Sequence, residues 1–138
     1  MKVLIVDDSA LMRRYLRQIL ETEPDVTIET ARDGEDALKR IESFDPDVVT
    51  LDINMPVMDG LTCLAHIMER FPRPVLMVSS LTEKGALATF EALELGAVDY
   101  IAKPGGTVSL NIHQVADEIR AKVRSAARSR QLRKRKRE

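Results

Sequence analysis

The chain has 138 residues, of which 44% are hydrophobic and 31% are charged, a composition typical of one globular domain with a buried core. No apolar run approaches the roughly 18 residues that a membrane-spanning helix needs, so we expect no membrane insertion. The N-terminus begins directly with the strand-like run Val3–Val6, so we also expect no signal peptide. The single cysteine, Cys63, cannot form an internal disulfide, which favours a reducing, cytoplasmic setting.

Charge is distributed unevenly along the chain. Residues 1–119 carry 11 Lys and Arg against 21 Asp and Glu, whereas residues 120–138 carry 10 against Glu138 alone. We therefore predict a domain over residues 1–125 and a basic tail or interdomain linker over residues 126–138. We favour a solvated extension of the last helix; the alternative is electrostatic binding to phosphate backbones or anionic membranes. Because the tail has no aromatic residue to stack on bases, sequence-specific nucleic-acid recognition is not expected.

Short β-branched and apolar runs predict five strands, and apolar residues recur at helical spacing after each of them. Most of the helices follow a residue whose side chain can accept a hydrogen bond from the first helical turn. The predicted strands are Lys2–Val6, Val26–Ala31, Val48–Leu51, Val75–Val78 and Val98–Ala102. The predicted helices begin after Ser9, after Asp33, at Asp59 or Gly60, after Thr82, and near Asn111 or Ile112.

Strands and helices therefore alternate five times. With right-handed crossovers this pattern gives an α/β fold, a doubly wound (βα)5 parallel sheet with helices on both faces. In the fourth helix we expect Leu87, Phe90 and Leu93 to face the core, and Gly96 to end the helix.

Charged and hydroxyl side chains follow four of the predicted strands. Asp7 and Asp8 come directly after the first strand and Asp52 after the third, while Ser79 and Lys103 follow the fourth and fifth. Because the carboxyl ends of parallel strands share one edge of the sheet, we expect these side chains to converge. Three converging carboxylates repel one another, and a divalent cation, best Mg²⁺, would remove that conflict.

This set of residues suits the transfer of a phosphoryl group to a carboxylate. Asp52 would be the nucleophile and would form an aspartyl phosphate. The metal ion and Lys103 would offset charge on the phosphoryl oxygens, and Ser79 would donate a hydrogen bond to one of them. The backbone carbonyl of Asn54, two residues past Asp52, could supply the metal ion with a further oxygen.

Four segments resemble the signature motifs of response-regulator receiver domains, in the order and spacing of that family. The resemblance covers residues 1 to about 125 and implies the flavodoxin-like strand order 2-1-3-4-5. The segments are Leu-Ile-Val-Asp-Asp-Ser at 4–9, Leu-Asp-Ile-Asn-Met-Pro-Val-Met-Asp-Gly at 51–60, Val-Ser-Ser at 78–80 and Asp-Tyr-Ile-Ala-Lys-Pro at 99–104.

The resemblance implies a chemical role for each matching acidic residue. Asp52 would be the phosphoacceptor, phosphorylated by a histidine kinase of the chemotaxis type. Asp7, Asp8, Asp52 and the Asn54 carbonyl would hold Mg²⁺, with Asp8 rather than Asp7 as the direct ligand.

The resemblance also implies a conformational switch. Ser79 and Lys103 would bind the phosphoryl group, and Tyr100 would move inward when Ser79 is drawn towards the phosphate. The surface around the fourth helix, the fifth strand and the fifth helix would then change. The residues alone leave open that Tyr100 is an ordinary half-buried strand residue.

A narrower resemblance connects residues 77–86, 91–100 and 103–110 with the receiver half of chemotaxis protein-glutamate methylesterases. In that family the receiver controls a C-terminal serine hydrolase, for which this chain has no room before Glu138. We therefore expect the regulatory domain of such a methylesterase; the alternative is a stand-alone chemotaxis-type response regulator. The chain itself is expected to catalyse only its own phosphorylation and a slow autodephosphorylation.

Two other classes fit the residues less well. A dehalogenase-type phosphatase needs a second aspartate two residues after its nucleophile, where this chain has Asn54. A flavodoxin-like cofactor site needs amides and hydroxyls after the first strand, where Asp7 and Asp8 would repel a phosphate. Outside the strand ends, we expect His66 and His113 to be solvated and Cys63 to pack as a small apolar group.

Overall fold

The computed structural model describes residues 1–80, 82–103 and 112–137. The predicted exit loop at 104–106, the helix start at Asn111, the side chain of His113 and Glu138 lie outside the described residues. All five predicted strands and all five predicted helices are present. In chain order they are β1 (Lys2–Val6), α1 (Ala10–Leu20), β2 (Thr27–Ala31), α2 (Gly34–Phe44), β3 (Val48–Asp52), α3 (Gly60–Arg70), β4 (Val75–Ser79), α4 (Glu83–Glu94), β5 (Asp99–Ala102) and α5 (Ile112–Arg137).

The strands form one parallel sheet in the order β2-β1-β3-β4-β5. The central strands β3 and β4 are buried along their whole length, as their continuous apolar runs predict. The doubly wound α/β fold with flavodoxin-like strand order is therefore confirmed. In this order β3 lies between β1 and β4, so the end of β3 meets the ends of both neighbours.

Helices cover both faces of the sheet, and each face has its own hydrophobic core. The core on one face lies under α2, α3 and α4 and contains Leu4, Leu51 and Met77 from the strands. The core on the other face lies under α1 and α5 and contains Ile5 and Leu76. Alternate residues of one strand thus enter different cores, which fixes the register of the strand.

The predicted helix starts are confirmed at four helices. The side chains of Ser9, Asp33, Asp59 and Thr82 each accept a hydrogen bond from the backbone amide three residues further on. Each bond satisfies an amide that has no partner within the helix. Gly96 follows α4 with a φ of 113°, a conformation that favours glycine, and it ends the helix as predicted.

The predicted inward face of α4 was wrong. Leu87 and Phe90 are 62% and 61% exposed, and Leu93 is also exposed. The buried face of the helix consists of small residues instead, because α4 packs closely against the end of β4. A Cβ atom added to Gly85 would lie 2.4 Å from the carbonyl oxygen of Ser80, for example. The buried residues of α4 are Gly85, Thr89 and Ala92.

The last helix, α5, continues without a break past residue 125, the predicted end of the domain. Val123, Ala126 and Ala127 are buried in the core beneath it. The helix and the core contacts therefore extend across residue 125. The division into a domain over residues 1–125 and a tail stays a prediction. None of the helices in the described ranges combines the length and apolar character that a transbilayer segment requires.

Part of the basic tail is bound to the body of the protein. Arg130 contacts Asp45 at 2.6 Å and Asp47 at 3.1 Å, and Lys134 contacts Asp45 at 3.1 Å. The buried guanidinium of Arg73 approaches Asp45 at 3.2 Å. We call this group of five residues the ionic clamp. It lies before β3, at the opposite end of that strand from Asp52.

Candidate functional site

Three carboxylates meet at the carboxyl edge of the sheet. Asp7 and Asp8 follow β1, and Asp52 is the last residue of β3. One carboxylate oxygen from each residue lies within 4.8 Å of the other two. Asp7 and Asp52 are fully buried, whereas Asp8 is exposed. We call this group the acidic site.

The backbone around the acidic site is held by specific contacts. Asp7 accepts a hydrogen bond from the Ser9 amide at 2.9 Å through Oδ1, and its carbonyl accepts one from the Arg13 guanidinium at 2.7 Å. The loop after β3 folds back so closely that a Cβ on Gly60 would lie 2.2 Å from the carbonyl oxygen of Asp52. Sequence reasoning missed Arg13, because an arginine on an amphipathic helix gives no signal of such a contact.

Lys103 completes the site from the end of β5. Its ammonium nitrogen lies 2.8 Å from Oδ1 of Asp52, and its backbone amide donates to the Ser79 carbonyl at 2.8 Å. Burial opposes the charge on this ammonium, but Asp52, Asp7 and Asp8 outweigh that effect and raise the pKa of Lys103. The lysine therefore stays charged beside the carboxylates.

Burial dominates the electrostatics of the two inner carboxylates. It raises the pKa of Asp7 to about 6, and the neighbouring Asp52 charge adds to the rise, while the bond from the Ser9 amide opposes it. Burial likewise raises the pKa of Asp52, against the opposing effects of Lys103 and the Asn54 amide. The site thus holds more negative charge than Lys103 compensates.

The polar atoms of the site fit a hard divalent cation. In the described part of the chain, Oδ2 of Asp7 and both carboxylate oxygens of Asp52 have no hydrogen-bond partner with good geometry, although Oδ1 of Asp52 lies 2.8 Å from the Lys103 ammonium. Buried acceptors of this kind are normally satisfied. A cation bound between the three carboxylates would satisfy them, since oxygen ligands suit Mg²⁺ and Ca²⁺. Asn54 lies exposed in the loop two residues beyond Asp52, and its carbonyl stays a predicted ligand.

Ser79 lies at the end of β4, one strand away from Asp52. Its buried hydroxyl donates to the carbonyl oxygens of Ser80 and Gly85, both at 3.1 Å, and Gly85 belongs to the first turn of α4. The hydroxyl therefore connects β4 to α4 in this structure. Because a hydroxyl has one proton, donating it to a group on Asp52 would end the bond to the Gly85 carbonyl.

Tyr100 lies on β5 and is 42% exposed, with its ring against Lys122 of α5. The prediction that it moves inward is not tested by a single conformation. Cys63 is buried, as predicted for a small apolar group, and burial raises the pKa of its thiol to about 12.

Comparison with known proteins gives one consistent result. The family model of the response regulator receiver domain matches residues 3–114. A protein-glutamate methylesterase/protein-glutamine glutaminase from Caldanaerobacter subterraneus subsp. tengcongensis is 65% identical over 129 residues, which are 93% of this chain and 35% of that protein. A similarly named protein from Vibrio cholerae is 58% identical over 130 residues, 94% of this chain and 36% of that protein. The chain thus spans about a third of the length of these curated relatives.

Solved structures agree with the sequence relatives. The crystal structure of the response regulator domain of Thermotoga maritima CheB superposes with a TM-score of 0.81 at 47% identity, covering 93% of this chain and 96% of that domain. The receiver domain of NtrX from Brucella abortus gives a TM-score of 0.77 at 30% identity, covering 91% of this chain and 98% of that domain. With its parallel sheet and acidic edge, the chain belongs to the response regulator receiver domain family and is homologous to the regulatory domain of CheB.

Proposed function

We propose that the chain is a phosphorylation switch in which Asp52 accepts a phosphoryl group from a histidine kinase. The observation that carries this proposal is the buried Asp52 carboxylate at the strand end, 2.8 Å from the Lys103 ammonium and beside two further carboxylates. An Asp52 oxygen would form a bond to phosphorus while the bond from phosphorus to the kinase histidine nitrogen breaks. The leaving nitrogen would keep the electron pair of that bond. Lys103 would then face the phosphoryl oxygens.

We propose Mg²⁺ as the metal ion, held by Asp7, Asp8, Asp52 and the Asn54 carbonyl. The ion would neutralise charge on the phosphoryl group. The exposed Asp8 would be a direct ligand on the solvent side of the ion, and the buried Asp7 would lie on its inner side. The raised pKa values of the two buried aspartates, and the contact of Lys103 with only one of the three carboxylates, support this assignment.

Ser79 and Tyr100 would carry the signal from Asp52 to the surface. The Ser79 hydroxyl is bonded to the Gly85 carbonyl of α4, so its movement towards a phosphoryl group would remove a contact that holds the start of this helix. Helix α4 carries exposed apolar residues, among them Leu87 and Phe90. A shift of α4 would therefore change an apolar surface that a partner can bind.

We infer that the phosphorylated domain regulates a methylesterase in a chemotaxis system, in the cytoplasm. The identities of 65% and 58% to protein-glutamate methylesterases support this function over a stand-alone chemotaxis-type regulator. A C-terminal methylesterase domain would then be the immediate partner of the switch. The stand-alone alternative predicts that no hydrolase changes its rate when the phosphorylated chain is added to it or joined to it.

The phosphorylation itself can be tested by intact-mass analysis. The chain is incubated with phosphoramidate, with and without Mg²⁺, beside the variants Asp52→Asn and Asp47→Asn. We expect one phosphoryl adduct that requires Mg²⁺, that is absent from Asp52→Asn, and that is retained in Asp47→Asn. Asp47 is the matched control because it is a carboxylate at the other end of the same strand. An adduct in Asp52→Asn, or none in the wild type, would refute the proposal.

A further inference from the structure

Lys122 of α5 is bound to several groups around Tyr100. Its ammonium nitrogen lies 4.7 Å from the centre of the Tyr100 ring and donates to the Tyr100 carbonyl at 2.7 Å. Carboxylate oxygens of Asp99 and Glu118 approach the same nitrogen at 3.6 and 3.3 Å. The Lys122 side chain is only 22% exposed, so these contacts are partly shielded from water. The cation is thus fixed against both the backbone and the ring of one residue.

The contacts of Lys122 differ in how they depend on the orientation of the Tyr100 ring. The bond to the Tyr100 carbonyl and the pairs with Asp99 and Glu118 involve β5 backbone and other side chains. They can persist when the ring rotates about its own side-chain bonds. The contact between the ammonium and the ring face exists only while the ring is outward, and it stabilises that orientation.

We propose that Lys122 is a positioning residue that holds Tyr100 outward and thereby opposes the phosphorylated state. This inference rests on the proposed function, in which the Tyr100 ring moves inward once Asp52 is phosphorylated. A contact made in one of two states shifts their equilibrium by its full strength. An exposed or half-exposed cation–π contact corresponds to about a two- to five-fold change in an equilibrium constant.

The equilibrium between the two ring orientations is coupled to ligand binding, and this coupling is reciprocal. A ligand that prefers the inward orientation should therefore change its affinity by the same factor. Beryllofluoride is a suitable probe, since it binds to an aspartate carboxylate as a mimic of the phosphoryl group. Weakening the contact between Lys122 and the ring should therefore strengthen beryllofluoride binding at Asp52. The effect acts across the sheet, because Lys122 is on α5 and Asp52 ends β3.

The experiment is a beryllofluoride titration of the full chain in Mg²⁺, followed through backbone amide resonances. For Lys122→Met, which keeps an aliphatic chain but no charge, we expect a dissociation constant about two- to five-fold lower than in the wild type. Lys122→Arg keeps a cation over the ring and should restore the wild-type value. Lys134→Met is the matched control, because Lys134 is on the same helix but pairs with Asp45; it should leave the affinity unchanged.

A double-mutant cycle separates this role from a general effect on the fold. In a Tyr100→Ala background, where no ring is present, Lys122→Met should no longer change the affinity. Equal affinities of the wild type and Lys122→Met, or a change that persists without the ring, would overturn the role of Lys122 alone. Failure of the wild type to bind beryllofluoride would overturn the proposed function as well, and this inference with it.

Discussion

The two ends of β3 carry aspartates in opposite electrostatic environments. At the acidic site, burial raises the pKa of Asp7 and Asp52, and Lys103 is the cation that compensates them. At the ionic clamp, burial also disfavours the charge on Asp45. The hydrogen bonds from Lys134 and Arg130 outweigh that effect, and the pKa of Asp45 lies well below its usual range.

The comparison shows how one residue type serves two purposes at the opposite ends of one strand. The clamp is satisfied within the chain, so its charges stabilise the fold. The acidic site holds three carboxylates against the single ammonium of Lys103, so its charges cost stability until a further cation binds. The loop after Asp52 adds backbone strain, because Val57 has a φ of 70°, which a β-branched side chain rarely adopts. Uncompensated charge and strain at the same place are typical of a functional site rather than a structural one.

The largest effect on stability is expected when the charge of Asp7 at the acidic site is removed. Its folded-state pKa of about 6 exceeds the ordinary value of 3.8, so its contribution to stability is complete below about pH 4 and is lost as the pH rises through 6. Asp7→Asn should therefore raise the free energy of unfolding by about 1–3 kcal/mol at neutral pH without metal, and by much less near pH 4. Urea unfolding in chelator at both pH values measures this.

Added Mg²⁺ provides the control for this prediction. The wild type should regain stability as the ion binds, whereas Asp7→Asn should respond weakly, so that the difference between them narrows. A variant less stable than the wild type at neutral pH in chelator would mean that Asp7 stabilises the fold as a charged residue. The contrast between the two ends of β3 would then be lost.

Removing a cation from the ionic clamp should change the free energy of unfolding in the opposite direction. Arg130 is largely buried and holds both Asp45 and Asp47, so Arg130→Gln should lower the free energy of unfolding by about 1–2 kcal/mol. Amide hydrogen exchange over residues 128–137 should speed up, because this part of α5 loses its attachment. Arg133→Gln, at an exposed position of the same helix, should change stability by less than about 0.5 kcal/mol. Equal effects of the two variants would show that the clamp contributes nothing.

The sequence predicts the acidic end of β3 far better than the clamped end. The continuous apolar run Val48–Leu51 predicts a central strand, and the rule for parallel sheets then places Asp52 at an edge shared with Asp7, Asp8 and Lys103. Each step uses only neighbours in sequence and the topology of the fold. The strand order came from resemblance to the family and is confirmed by the structure.

The clamp could not be predicted in this way. Its ion pairs join residues 83 and 85 positions apart, Arg130 with Asp47 and with Asp45. A run of arginines and lysines at a chain end has the same composition whether it is solvated or bound. Pairing depends on the rotation of α5 over the sheet, which charge patterning does not specify.

The error in α4 has a related cause. Leu87, Phe90 and Leu93 recur at helical spacing and so predict a face, but periodicity does not say whether that face is buried or presented to a partner. Gly85 and Ala92 on the opposite side let the helix approach β4 closely, and the close approach decides which side is buried. Apolar residues at the surface of a switch element are consistent with a role in partner binding.

The smallest effect on stability is expected when the Asp45 carboxylate of the ionic clamp is removed, and this effect should depend on pH. The lowered pKa of Asp45 means that its stabilisation is present above the ordinary pKa and is lost as the pH falls through the folded-state value, the reverse of Asp7. Asp45→Asn should therefore lower stability at neutral pH by less than about 1 kcal/mol, since the carboxylate is half-exposed and water screens its pairs. The difference from the wild type should shrink in acid. Acid unfolding followed by circular dichroism should show a shallower loss of stability below about pH 4 for Asp45→Asn. Parallel acid curves for the two proteins would instead mean that the Asp45 carboxylate has the same pKa in the folded and unfolded chain.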